Sequence, residues 1–391
     1  MTSNRQTSER VVIVGGGISG LSIASRLVQS GLPVTLLEAT RIGAGASTRN
    51  QGWLHSGGWF ATQHRSLARE CYESLQQTIK FCPECLEPNH DGMAYIVSDR
   101  NSDTDCWTES WRAAGIPFSE WDRDDLLRSA PALSKSPIHR VFRLPDGAFR
   151  PDILVNHLAA AARNAGVELL TETRVERLLY EGDSVVGIRT GTGEEIAARL
   201  VILAGNTGTA FLWPGSDGES VGRQSEFQRV FLRTHLLAVE PEICSLPFCV
   251  IDSVGINHIP HQKSSVLGND HWQVVNRETR PVVSSSESLT LYESVNRFLP
   301  TVDLDTQVTK TWAGITVQAM HVTQVEPGQA PLTTVIDHER DAPAVRNLLS
   351  VFPGRATLWP QLAEQTREAV LAKLQPQFLM AAQPPWECAA L

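Results

Sequence analysis

Four apolar, mostly β-branched residues, Val11-Val12-Ile13-Val14, open the patterned part of the chain and read as a buried parallel strand. A glycine-rich turn follows. Leu21, Ala24, Leu27 and Val28 then recur at helical spacing until Gly31 ends the run. Val34 to Leu37 is the next strand, so the chain opens as half of a β-α-β unit. Ser66 to Phe81 has helical periodicity, and Asp124 to Arg128 predicts a short helix stopped before Pro131. Pro151 to Asn164 predicts a strong helix, with proline in its first turn and Gly166 at its end. Val167 to Leu170 reads as a strand. Arg174 to Tyr180, Val185 to Thr190 and Glu195 to Ala198 predict a small meander, and Leu200 to Leu203 another buried strand running into Ala204-Gly205. The polar, turn-rich stretch 213–226 reads as a crossing between domains. Beyond it strand-like runs dominate, at Val230 to Val239, Phe248 to Asp252, Ser265 to Leu267 and Trp272 to Val275. A strand at Leu348 to Phe352, a turn at Pro353-Gly354 and a helix from Gln361 to about Leu374 close the pattern.

The first turn carries chemistry. Gly15-Gly16-Gly17-Ile18-Ser19-Gly20 fits G-x-G-x-x-G between a strand and a helix. Gly15 permits the tight turn, Gly17 lets the backbone approach a pyrophosphate, and Gly20 lets helix and sheet pack closely. The helix N-terminus, at Ile18 and Ser19, then offers N–H groups and a partial positive charge to phosphate. Glu38, followed by Ala39, closes the second strand 18 residues past Gly20. A carboxylate there accepts hydrogen bonds from both ribose hydroxyls. The motif predicts a dinucleotide and does not separate NAD from FAD. The order of elements predicts an α/β fold with a Rossmann-like nucleotide-binding domain assembled from 1–80, 145–212 and 330–380. A β-rich α+β substrate domain, 81–144 and 213–329, is inserted into it, and 381–391 reads as a flexible tail.

Composition narrows the class. The chain has 391 residues, 42% of them hydrophobic and 20% charged, which suits a globular protein with a large core and no need of disulfides. A net charge of −9 without a Lys/Arg cluster argues against a nucleic-acid partner. No stretch reads as a signal peptide or transmembrane segment, which makes the cytoplasm the expected location. Seven cysteines show no disulfide framework. Cys82-Pro83-Glu84-Cys85 is a C-x-x-C that lacks a second such pair or a nearby histidine pair in sequence, so free thiols at a helix end, with no metal, are the expectation.

The residues after Glu38 separate the cofactors. The stretch Arg41-Ile42-Gly43-Ala44-Gly45-Ala46-Ser47-Thr48-Arg49-Asn50-Gln51-Gly52-Trp53-Leu54-His55-Ser56-Gly57-Gly58 resembles the D-amino-acid-oxidase-like superfamily of flavoproteins. Within it, the stretch resembles the branch of glycerol-3-phosphate and L-2-hydroxyglutarate dehydrogenases and oxidases; Gln51 replaces that branch's usual small residue. Asp146-Gly147-Ala148-Phe149-Arg150-Pro151, Val201 to Gly208 and Leu349 to Thr357 resemble later segments of the same family, in the same order. The resemblance implies a glutathione-reductase-type FAD domain and FAD as cofactor. It implies that Gly15, Gly17, Gly20 and Glu38 hold the ADP half, and that Ser47, Thr48 and Asn50, with Gln51 and Gly52 beside them, line the pyrophosphate and ribityl region. Val175 matches the position whose backbone meets adenine, and Ala204-Gly205 the turn beneath the cofactor. Gly354, Arg355, Ala356 and Thr357 match the turn at the pyrimidine edge of the flavin, where backbone N–H groups stabilise charge that develops on reduction.

The same resemblance places His55 at an active-site histidine. Three roles stand open for it: general base for a substrate hydroxyl, a covalent link to the flavin, or a hydrogen bond near the cofactor. His258 and His261 fall in the β-rich part where relatives bind substrate, and His261 is the expected contact. Trp312-Ala313-Gly314-Ile315-Thr316 resembles a segment in which an arginine clamps an anionic substrate; Thr316 stands in that place. A hydroxyl does not replace a guanidinium, so Arg49 or Arg355 would have to substitute. The expected activity is hydride transfer from a small-molecule CH–OH group to flavin, with oxygen or a quinone as electron acceptor. Oxidation of a CH–NH group is the alternative, and a flavin-binding protein without turnover a third reading.

Overall fold

The computed structural model describes residues 9–374, apart from 89–91, 137, 215–224, 254, 270–271, 277–278, 280 and 324–331. The expected tail at 381–391 and most of the 213–226 crossing fall outside these residues. The opening unit is β1 (Val11–Val14), α1 (Ile18–Gln29) and β2 (Val34–Leu37). After it come α2 (Arg65–Phe81), β3 (Met93–Val97), β4 (Arg140–Leu144), α3 (Pro151–Asn164) and β5 (Glu168–Leu170). A three-stranded antiparallel meander, Val175–Glu181, Ser184–Thr190 and Glu195–Ala197, leads to β6 (Leu200–Leu203). Next are the long β7 (Phe227–Val239), β8 (Phe248–Val250), β9 (Asn257–His261), β10 (Ser264–Gly268), α4 (Ser285–Phe298) and β11 (Val308–His321). The chain returns through β12 (Thr334–Asp337) and β13 (Leu348–Phe352) to α5 (Trp359–Leu374).

Two large sheets divide these strands. The first has the order β12-β13-β6-β1-β2-β5, parallel except for β12, which runs antiparallel to β13. All four residues of β1, β2 and β6 are buried, because the sheet is covered on both faces. Val11, Ile13, Leu36 and Ile202 pack with α1, α3 and α5 on one face. Val12, Val14, Leu37 and Val201 on the other meet the meander and Phe231 and Val317 of the second sheet. The second sheet has nine strands, in which β7 pairs β11 along nearly its whole length, from Phe227↔His321 to Val239↔Val308. A two-stranded antiparallel pair, Trp53↔Ala148 and Leu54↔Gly147, lies apart from both and carries the loop leading to His55.

The opening unit, meander and late strand follow the pattern read from the sequence. The last helix begins at Trp359 instead of Gln361, because Pro360 sits in its first turn, where a missing N–H costs nothing. Two longer helices and the single turn Leu304–Gln307 differ from the sequence expectation. Thr104–Ala114 is capped by Asp103, whose side chain accepts from Cys106 N–H, and ends at Gly115 with φ 75°. The other, α4, buries Leu291, Val295 and Phe298 against Leu237, Val239 and Phe248. That apolar stripe is sparse in a Ser-rich segment. Among the described residues no helix is long and apolar enough to cross a membrane.

Candidate active site

The glycine turn is shaped by close approaches. A Cβ on Gly15, whose φ is 120°, would lie 2.7 Å from Gly205 Cα, and one on Gly20 would lie 1.9 Å from the Gly15 carbonyl oxygen. Gly15 therefore meets Ala204-Gly205 where β1 and β6 end together, and α1 stacks directly on the turn. The first helical hydrogen bond runs from Leu21 N–H to Gly17 C=O, at 3.1 Å. The N–H groups of Ile18, Ser19 and Gly20 therefore face out of the helix end. Ser47 Oγ accepts from Ile18 N–H at 3.0 Å and stands 2.6 Å from the position of a Gly17 Cβ. Glu38 spans the ends of both strands: one carboxylate oxygen accepts from Gly16 N–H at 2.9 Å, the other from Thr40 N–H at 3.0 Å. Val175 is buried at the start of the meander, and Thr173 N–H donates to Glu38 C=O at 2.9 Å. A backbone cradle at a helix N-terminus, with a carboxylate at the end of the second strand, fits the ADP half of a dinucleotide such as FAD.

Thr48 and Asn50 shape the neighbouring loop from within. Thr48 Oγ donates to Gly43 C=O at 2.7 Å. Asn50 donates to Ser47 C=O at 2.8 Å and accepts from Gly52 N–H at 2.9 Å. Gly52 has φ 79°, and a Cβ there would meet Phe149 C=O at 2.5 Å and the His261 ring at 2.6 Å. The Gln51 side chain approaches Gly268 of β10, while the Gln51 backbone carbonyl lies 2.9 Å from His261 Nε2.

His55 follows the short strand. Its backbone N–H donates to Thr357 Oγ at 3.0 Å, which brings the loop after Trp53 against the turn after β13. The imidazole stacks on Trp53 with ring centroids 4.1 Å apart and planes at 23°. Nδ1 of His55 is buried and has no hydrogen-bond partner. Burial holds the His55 pKa well below the ordinary imidazole value, and the positive charge of Arg355 adds to the effect. The ring is thus neutral at pH 7. The Arg355 guanidinium lies over Trp272, 4.9 Å from its centroid, and 5.7 Å from that of Phe60. Gly354, with φ 66°, makes the preceding turn, and Ala356–Leu358 form one 3₁₀ turn.

Beneath this loop lies a residue that sequence reading passed over. Asp146 is fully buried; its carboxylate accepts from Trp53 Nε1–H at 2.9 Å, from Tyr95 O–H at 3.0 Å and from the Ser56 hydroxyl. Burial raises its pKa against the lowering effect of those donors. The Asp146-Gly147 dipeptide is visible as a motif, but its donors come from two other segments, Trp53 and Ser56 from one and Tyr95 from another.

The expected substrate residues fall into different settings. His261 has both ring nitrogens engaged, Nδ1 2.8 Å from Glu87 Oε1 and Nε2 2.9 Å from Gln51 C=O, so it joins β9 to the loop instead of presenting a free nitrogen to a ligand. Trp312 Nε1–H donates to Arg49 C=O at 2.9 Å and docks β11 on the same loop. Arg49 itself is exposed. Thr316 lies on β11 opposite Leu232, and the next residue's N–H, of Val317, donates to Asn206 Oδ1 at 3.0 Å. Asn206, with φ 52° directly after Gly205, was not singled out from the sequence.

The family model for FAD dependent oxidoreductases, DAO, matches residues 10–340. The chain is 28% identical over 393 residues to the anaerobic glycerol-3-phosphate dehydrogenase subunit A1 of Haloferax volcanii, covering 94% of this chain but only 64% of that protein. It is 27% identical over 318 residues to the glycine oxidase of Pseudomonas aeruginosa, covering 79% of this chain and 82% of that one. In fold it matches the FAD-bound L-alpha-glycerophosphate oxidase of Mycoplasma pneumoniae with a TM-score of 0.72 at 16% identity, covering 96% and 97% of the two chains. The chain therefore belongs to the DAO family of FAD-dependent oxidoreductases and is an oxidoreductase that uses FAD.

Proposed function

We propose that the protein oxidises a CH–OH group of a small, anionic hydroxylated substrate of the glycerol-3-phosphate type, with His55 as the base. The observation that carries this reading is the part-buried, neutral imidazole whose buried Nδ1 has no partner. FAD, when bound, supplies the electron sink for the departing hydride. An alcohol must also lose its hydroxyl proton, and His55 Nδ1 takes it. A neutral amine needs no such base. Trp53 and Thr357 hold the imidazole by stacking and through its backbone. Arg355, whose guanidinium lies over Trp272 and Phe60, is the cation this reading assigns to the anionic group, in place of the arginine that the resemblance puts at the position of Thr316. An anion beside Arg355 offsets the smaller of the two effects that lower the His55 pKa; burial, the larger, remains.

The similarity to a glycine oxidase favours a second reading, oxidation of a CH–NH group. Anaerobic mixing of the FAD-loaded protein with two panels separates them. Glycerol 3-phosphate and 2-hydroxy acids are expected to bleach the flavin, while glycine, proline and sarcosine leave it oxidised. Bleaching by the amines alone would overturn the proposal. Admitting oxygen or a quinone to the bleached protein then reads which acceptor restores the colour.

A further inference from the structure

The fold supplies Cys82 with the histidine that its local sequence lacks. Cys82 Sγ, a Glu84 carboxylate oxygen and a ring nitrogen of His157 lie within 4.8 Å of one another, the only such group of three or more His, Cys, Asp or Glu among the described residues. The three come from the end of α2, the 3₁₀ turn Pro83–Cys85 and the middle of α3. His157 Nδ1 is 2.5 Å from Glu84 Oε1, and the ring is held edge-on by Phe81 at 4.8 Å. Cys85, the second thiol of the C-x-x-C, follows one turn later, its backbone N–H donating to Cys82 C=O at 3.0 Å. Both thiols are buried, whereas the side chains of His157 and Glu84 are 37% and 52% exposed, so the group has an open side.

We propose that Cys82, Glu84 and His157, with a water as fourth donor, bind one zinc-type divalent cation. Thiolate and imidazole donors select zinc over magnesium or calcium, which take oxygen shells. Metal–ligand bonds of about 2.0–2.3 Å in a tetrahedron put donor atoms about 3.3–3.8 Å apart. Closing the present group to that size takes a side-chain adjustment of about 1 Å, and the short His157–Glu84 contact opens to admit the ion. The site leaves its fourth position to water on the open side. It fastens the end of α2 to α3 at a point that backs the cofactor loop: Cys85 C=O accepts from Arg150 N–H at 2.7 Å, and Phe149 N–H donates to Gly52 C=O at 2.9 Å.

The test uses the FAD-loaded protein, stripped with chelator and kept in a non-thiol reductant, titrated calorimetrically with zinc. The expected result is one equivalent per chain, a raised thermal midpoint, and affinity lower by at least about tenfold in Cys82→Ser and in His157→Ala. Cobalt substituted for zinc should give a visible absorption beyond the oxidised flavin bands. His157 is half-exposed on a helix, so that variant decides the question even where Cys82→Ser fails to fold. Cys106→Ser, at an exposed cysteine outside the group, is expected to bind as the parent does. Absence of saturable zinc binding, or parent-like binding by the His157 variant, would overturn the proposal.

Discussion

Replacing Asp146 asks whether charge or hydrogen bonding holds the loop that positions His55. Asp146→Ala strands three buried donors, Trp53 Nε1–H, Tyr95 O–H and the Ser56 hydroxyl. Each stranded buried donor costs about 1–3 kcal/mol, although the two hydroxyls can rotate towards lesser partners. Removing the carboxylate also relieves a desolvation cost, the one that raises its pKa. The lost hydrogen bonds win, and a net destabilisation of about 3 kcal/mol is expected for alanine. Asp146→Asn keeps the volume and one acceptor oxygen, sheds the buried charge, and presents its amide to Ser56 Oγ, which can turn to accept. Loss and relief nearly cancel there, within about 1 kcal/mol. Denaturant unfolding of the FAD-loaded proteins, followed by tryptophan and flavin fluorescence, measures both. Alanine should also slow flavin reduction more than asparagine, because Trp53, freed at its indole nitrogen, no longer fixes the stacked imidazole. Equal stability of the two variants, or an asparagine variant as damaged as alanine, would refute this ordering.

Other outcomes follow from the same geometry. Gly20→Ala places a methyl 1.9 Å from Gly15 C=O, so the phosphate turn must open by more than 1 Å. The variant should purify without FAD and lose about 1–3 kcal/mol or more, while Gly208→Ala, with nothing within 4 Å, should bind FAD normally. Burial holds His258 at a pKa of about 3, with Nδ1–H donating to Leu246 C=O at 2.9 Å and Nε2 2.8 Å from Ser265 Oγ. A depressed histidine means that the unfolded chain takes up the proton first. Stability present above about pH 6.5 is therefore lost as pH falls towards 3, at roughly 1.4 kcal/mol per pH unit. His55 acts in the same direction. Unfolding midpoints measured from pH 7 to 4 should fall, and His258→Gln should flatten the slope.

What was legible in the sequence is what local pattern encodes. The turn at Gly15 to Gly20, Glu38 at the end of its strand and the helix from Pro151 each rest on neighbours within a few residues. The candidate site depends on longer reach. Asp146 meets Trp53 across 93 positions, Trp312 meets Arg49 across 263, and His55 meets Thr357 across 302. Sequence order does not register such contacts, so the engagement of His261 by Glu87 and Gln51 is not visible in it. Cys82 and Cys85 looked like a site without a histidine for the same reason: His157 arrives on a different helix, brought by the packing of α3 against the turn after α2.

The most direct test of the account is anaerobic single-turnover flavin reduction, with glycerol 3-phosphate or whichever hydroxylated substrate bleaches the parent protein, comparing that parent with His55→Ala. The account predicts that the variant keeps an oxidised FAD spectrum whose colour is released by acid, while reduction slows by about 10²–10⁴-fold. Reduction at the parent rate would contradict the role of His55 as the base, and colour that stays with the acid-precipitated parent protein but not with the variant would make His55 the flavin's covalent anchor.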